Sequence, residues 1–267
     1  MDDVKKIMVY NMSFLENDDP FSKFLFIILL LIGFIIIMNL GMSLLTIMLN
    51  TDKPFLVKGM VPGNVPIIIQ QDPSIKGSIP VERSDNQDGI EFSWSLWINI
   101  TDVGTNNQYQ HIFNKGEQNI DSETGLNFPN NSPGLYIAPN TNELVVIMNT
   151  FTTINEEVKI PNFPMNKWAN IIIRVTNNII DIYVNGALSK RHILSSVPKQ
   201  NYGNVYVASN GGFTGNLSNL QYFRYSVQPG EILSIANKGP NLTVNSSSTA
   251  LNSVPPYLAL QWYTDNV

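Results

Sequence analysis

The chain has 267 residues, enough for one large domain or two small ones, and a formal net charge of -5 at neutral pH. The acidic balance argues against a nucleic-acid partner, since binding phosphate needs a basic surface. Cysteine is absent, which excludes disulfides, thiolate metal sites and a cysteine nucleophile.

Residues 1–23 form a polar N-terminal segment. From Phe24 to Leu49 no charged residue occurs, and the polar side chains are limited to Asn39, Ser43 and Thr46. About 20 apolar residues cross a hydrocarbon layer of ~30 Å, so the run 24–49 is expected to be a single transmembrane helix. A cleavable signal sequence would have a shorter apolar core, of about 7–15 residues, and would end in a small-residue cleavage site. Lysines flank both ends (Lys5, Lys6 and Lys23 before, Lys53 and Lys58 after), so charge leaves the orientation open.

Residues 50–65 contain Pro54, Gly59, Pro62 and Gly63 and read as a stiff, irregular stalk. Short strand-like runs separated by turn signals then fill 66–239, the mark of an all-β sandwich or barrel. In Ile90–Ile100 the residues Phe92, Trp94, Leu96, Ile98 and Ile100 fall on one face. Glu91, Ser93, Ser95 and Asn99 fall on the other, with Trp97 an aromatic among them. Further strands are expected at Gly134–Ala138, Glu143–Asn149, Gly203–Ala208 and Phe213–Ser226.

Between Trp168 and Ile193, two β-rich runs flank Asn177-Asn178, and the second turns back through Asn185-Gly186. Asn-Gly is the favoured type I′ pair, because both central residues take positive φ. A two-residue turn sets Val184 opposite Ala187 and Asp181 opposite Lys190. Pro229-Gly230-Glu231 opens a short helical turn, and 240–267 reads as a polar linker followed by an aromatic tail.

In order, FSWSLWINI, HIFNKGE, GLYIAPNTNELVVIM, Lys167-Trp168, IDIYVNGAL and GNLSNLQYFRYSVQPGEI resemble the concanavalin A-like lectin/glucanase superfamily in its laminin G-like form. The resemblance covers roughly Ile90 to Asn237. It implies a two-sheet antiparallel jelly-roll sandwich, with loops and sometimes a concave face available for ligands. The tail GPN…PPYLALQWY and the N-terminal anchor also resemble lectin-like membrane proteins of large DNA viruses.

Glucanases of this superfamily carry two catalytic carboxylates on a short strand. The nearest run here is Asn119-Ile120-Asp121-Ser122-Glu123, with asparagine where the nucleophile belongs, so no enzyme activity is expected. Neither His111 nor His192 has a triad partner at a recognisable spacing. Some laminin G-like domains hold calcium, for which Asp85, Asp88 and Asp102 could supply oxygens, although they lack the alternating spacing of a dedicated calcium loop. Trp97, Tyr109 and Tyr136 are candidates for an aromatic ligand platform, with ordinary sheet packing as their alternative role. Asn99, Asn130, Asn216, Asn241 and Asn245 begin sequons that matter only in a glycosylating lumen.

The function expected from these features is non-enzymatic. One reading is a membrane-anchored structural or interaction protein, with a bilayer and proteins of a shell or coat as partners, its sharpest form a virion membrane or minor capsid component. The alternative is a surface adhesin that binds glycans.

Overall fold

The computed structural model describes residues 20–49, 53–84, 89–105 and 107–244. The chain divides into two units, Met1–Thr51 and Asp52–Val267.

The described part of the first unit is one helix, α1 (Pro20–Leu49). Within it Lys23–Leu44 has a mean hydropathy of 2.9 and no buried residue, so by length and composition it can cross a membrane. Asn39 is accommodated locally: its Nδ2 donates to the Ile35 carbonyl at 2.9 Å, one turn back.

The second unit opens with two short strands, β1 (Met60–Pro62) and β2 (Ile67–Ile69). Four longer ones follow: β3 (Glu91–Asp102), β4 (Gln110–Gly116), β5 (Asn131–Ile137) and β6 (Leu144–Met148). Then come β7 (Glu156–Ile160), β8 (Ala169–Thr176), β9 (Ile179–Val184) and β10 (Ala187–Ile193). The last elements are β11 (Asn204–Val207), β12 (Thr214–Phe223) and a helix, α2 (Pro229–Lys238). They build two six-stranded antiparallel sheets. Sheet A runs β1-β12-β3-β8-β9-β10, and sheet B runs β2-β11-β4-β5-β6-β7.

Alternation along β3 works as the sequence implies. Phe92, Trp94, Leu96, Ile98 and Ile100 all join the core between the sheets, where Trp94 meets Phe113 of sheet B at 5.3 Å between ring centroids. Each such side chain contributes roughly 1.5–3 kcal/mol of burial energy.

Two readings of local structure are corrected. The segment read as a stiff, irregular stalk is partly sheet: β1 pairs with β12 from Met60↔Ser218 to Pro62↔Asn216, and Phe55 bridges to Gln221. The beginning of the C-terminal linker is also held, because Met60 N donates to the Thr243 carbonyl and Asn241 is bonded to Ser218. In the Asn185-Gly186 hairpin, φ is +50° and +82° and Val184 faces Ala187 as expected. Asp181, however, faces Arg191 and not Lys190, because the register shifts between Leu188 and Lys190. One extra residue in a strand moves every later side chain to a new partner. The aromatic tail 255–263 lies outside the described residues.

Two of the edge strands, β7 of sheet B and β10 of sheet A, are joined by side chains. His192 Nε2 lies 3.0 Å from Glu156 Oε1, whose carboxylate also accepts from the Ser195 amide and hydroxyl. Burial works to raise the Glu156 carboxyl, but these hydrogen bonds from Ser195 and His192 outweigh it and hold the group below its usual range. Lys190 and Arg191 on the exposed β10 discourage pairing with another chain.

Candidate functional site

Most of both outward sheet faces is already occupied. On sheet A, Ile172 and Phe223 pack beneath Val227 and Ile232 of the α2 region. The Ser93 hydroxyl both donates to the Tyr225 carbonyl and accepts from the Val227 amide. On sheet B, Tyr136, Val145 and Ile147 are covered by Leu126 from the β4–β5 loop, with Tyr109 packed against them.

Beneath that loop lies a satisfied polar layer. His111 is fully buried: its Nδ1 accepts from the Ser209 amide at 3.0 Å and its Nε2 is 2.7 Å from Asn114 Oδ1. Burial pushes the imidazole down to about 4, so the ring is neutral, with its hydrogen on Nε2 facing the asparagine oxygen. The Tyr136 hydroxyl donates to Asn131 Oδ1 at 2.8 Å and accepts from the Asn127 amide. These groups hold the loop rather than a ligand.

The end of the sandwich where β3 and β11 run out is open. A cleft of about 770 Å³, counted to its open mouth, lies between the β3–β4 loop (Gln108, Tyr109 and then Gln110) and the β11–β12 loop (Asn210-Gly211-Gly212, then Thr214). Asn210, Gly211 and Gly212 are consecutive left-handed residues, with φ of +51°, +80° and +61°. A Cβ on Gly212 would collide with the Gly63 carbonyl, so the β11–β12 loop approaches the β1–β2 connection there only through glycine.

Gln110 is held in the wall of the cleft. Its Nε2 donates to the Val103 carbonyl, while its Oε1 is buried without a hydrogen-bond partner. Burial raises the Tyr109 phenol above its usual range, keeping the hydroxyl protonated and able to donate. None of the residues lining the cleft is charged.

Of the three aromatics considered as a platform, Tyr109 lines the cleft, and Tyr136 lies edge-on beneath it, 6.3 Å between centroids. Tyr136 itself is fully buried, so it supports the loop and cannot stack on a ligand. Trp97 is on the other sheet, between Asn170 and Ser218 of the flanking strands, and is only 8% exposed. The sequence placed it correctly on the outward face of β3 but could not show that this face is covered.

Asp102 is exposed, and its Oδ1 accepts from the Gly104 amide in a local turn. Asp85 and Asp88 lie outside the described residues. Among the described residues no group of three or more His, Asp or Glu is placed to hold a metal ion. Asp121 serves a turn in the same way, accepting from the Thr124 hydroxyl at 2.7 Å and the Glu123 amide.

Of the sequons, Asn99 and Asn216 face each other across β3 and β12, and both are half-buried. Asn130 Nδ2 donates to Glu117 Oε1 at 3.0 Å. Asn241 is half-buried, its Oδ1 accepting from the Thr243 amide, and Asn245 lies outside the described residues.

Two six-stranded antiparallel sheets stacked on one core define a lectin-type jelly-roll domain. The chain belongs to the concanavalin A-like lectin/glucanases superfamily, whose laminin G-type family model matches residues 75–233. No curated protein matches the chain. Among solved structures it is similar to the receptor binding domain of botulinum neurotoxin D, at 13% identity and a TM-score of 0.47, over 71% of this chain and 53% of that one. The binding domain of serotype G is similar at 14% identity and a TM-score of 0.45, over 67% of this chain and 46% of that one. A third is the type C toxin whose cell entry depends upon interaction with two ganglioside molecules, at 16% identity and a TM-score of 0.41, over 55% of this chain and 35% of that one. The chain thus spans about half or less of the length of these structures.

Proposed function

We propose that the protein is a non-catalytic, membrane-anchored lectin-like receptor that binds a neutral glycan in the cleft between Tyr109 and Gly211-Gly212. The observation that carries this reading is the cleft's chemistry. It offers the Tyr109 ring, with Phe213 also in its wall, several amide side chains and the Thr214 hydroxyl, with no charge, beside a buried and unpartnered Gln110 Oε1. Sugars present an apolar ring face and a fan of hydroxyl groups. A ring that stacks beside amides that both donate and accept matches them, and a buried acceptor without a partner favours a hydroxyl that donates to it. The family supports a binding role, and α1 has the length and apolarity of an anchor.

A role in bridging a membrane to a protein shell is the second reading. It is favoured by the exposed apolar side chains Phe151 and Val197, which adjoin through the Phe151 amide and the Val197 carbonyl.

The test is a glycan array probed with the full-length chain in neutral detergent, followed by calorimetry on any hit. Binding is expected, and Tyr109→Ala and Gln110→Ala should each weaken it by about tenfold, equivalent to ~1.4 kcal/mol. An array without signal, or a hit that both variants bind as well as the parent, overturns the glycan reading and leaves the protein-bridging one.

A further inference from the structure

A lysine points into the sandwich core. Along β4, Phe113 joins the inter-sheet core and Asn114 turns outward to His111, so Lys115 turns inward again, beside Val205 of β11. It is 4% exposed. Its ammonium donates to the carbonyls of Asn201 and Gly203, with the Asn201 side-chain oxygen at 3.5 Å, and no carboxylate pairs with it among the described residues. A buried cation without a counter-charge is costly, and carbonyl dipoles offset only part of that cost.

The ammonium borders a cavity of about 290 Å³, counted to its open mouth. Phe92, Trp94 and Tyr222 of sheet A form its apolar wall. Trp94 is 1% exposed, and its indole Nε1 has no hydrogen-bond partner. Gln200, which also lines the cavity, has a buried Nε2 that is equally unpartnered. Lys115 and two neutral donors therefore line an aromatic-walled space that supplies no matching acceptor to Trp94 or Gln200, with the exposed Arg83 and Glu82 also in its lining.

We propose that this cavity binds the carboxylate of a small, partly apolar molecule, between Lys115, the Trp94 indole N–H and the Gln200 amide. A single negative charge matches a single ammonium, and a planar carboxylate has acceptor positions for the two neutral donors as well. A phosphate dianion would bring a second charge with no second buried cation to meet it, since Arg83, the other cation of the lining, is exposed and donates to the Tyr202 hydroxyl, and Glu82 is already held by Arg224 at 2.8 Å. Burial alone pushes the Lys115 ammonium down to about 8, which is the electrostatic demand a bound carboxylate would relieve.

The site is separate from the glycan cleft and does not rest on it. Gln110 and Lys115 stand five residues apart on β4, about 16 Å along the strand.

The experiment is calorimetric titration of the full-length chain, in neutral detergent, with benzoate, glucuronate and, as an uncharged control, benzamide. Saturable binding of benzoate or glucuronate, with benzamide at least tenfold weaker, is expected. Stronger binding of benzoate identifies a free apolar acid as the source of the carboxylate, and stronger binding of glucuronate identifies an acidic sugar. Lys115→Met should weaken binding at least tenfold and Trp94→Phe severalfold, with circular dichroism showing that each variant is folded. Gln200→Ala, a half-buried rim substitution that leaves the core intact, should weaken it severalfold and keeps the test decisive if either core variant fails to fold. No saturable binding of either acid, or equal affinity for benzamide, or undiminished affinity in Gln200→Ala together with Lys115→Met, overturns the proposal.

Discussion

Arg191 stands directly across the β9–β10 ladder from Asp181, with Nε 2.6 Å from one carboxylate oxygen and Nη2 2.8 Å from the other. This bidentate contact exists because the chain shifts register between Leu188 and Lys190. On the other side Arg174 reaches the same carboxylate at 3.4 Å from β8, so one buried aspartate ties three strands together. Asp181 is 3% exposed, whereas the Arg191 side chain is 57% exposed.

That asymmetry predicts unequal costs. Asp181→Ala leaves the partly buried Arg174 without its carboxylate and should destabilise the domain by about 2–4 kcal/mol. Arg191→Ala removes only a solvent-screened partner and should cost much less. Chemical denaturation of the two variants checks the order, and equal losses would show that the carboxylate's burial is not what matters.

The hairpin turn gives a second prediction. Gly186 has φ of +82°, and a Cβ there would come within 3.2 Å of the Ala236 Cβ on α2. Gly186→Val should therefore cost about 2–4 kcal/mol, from backbone strain together with displacement of the helix. Gly186→Asn, which tolerates positive φ, should cost less. A melting temperature unchanged by valine would contradict the type I′ geometry.

His111 predicts a pH dependence. Its pKa in the fold is about 4, against an ordinary 6.5. Between those values the unfolded chain takes up a proton that the folded one does not, so stability is full above pH 6.5 and falls as pH drops towards 4. The span is at most about 3 kcal/mol. Glu156, held below its usual range, loses its contribution only at lower pH, beneath about 4.5, so the upper part of the window belongs to the histidine. Denaturation midpoints from pH 7.5 down to about 5 should fall for the parent and fall less for His111→Gln. Parallel pH profiles would exclude the neutral buried imidazole as their cause.

The anchor is tested by extraction. With Lys23–Leu44 in a bilayer, alkaline carbonate should leave the full-length protein in the membrane pellet, and replacing Ile35 and Ile36 with arginine should release it. Recovery of the unaltered chain in the carbonate supernatant would remove the membrane from the function proposed above.

The sequence alone determined the features that depend on near neighbours. The uncharged run to Leu49, the in-out alternation of β3 and the positive-φ Asn-Gly turn are all set by hydropathy or backbone sterics within a few residues. Its many asparagines belong here too. Among the described residues, seven of the eight non-glycine residues with positive φ are asparagine, from Asn140 to Asn219, because its short polar side chain tolerates the left-handed region. Tertiary structure decided what covers an outward face and what an inward one meets. Trp97 and Tyr136, which the sequence left open between a ligand platform and ordinary sheet packing, are buried, Tyr136 beneath Leu126 of the β4–β5 loop. The shift near Ser189 exchanged Lys190 for Arg191, and Met60–Pro62 became sheet by pairing with residues more than 150 positions away. Lys115, unremarkable in HIFNKGE, faces the core because the strand's last inward position falls at the rim, where loop carbonyls can reach its ammonium. Alternation is local, but whether a face is wet is settled only by what the rest of the chain lays over it.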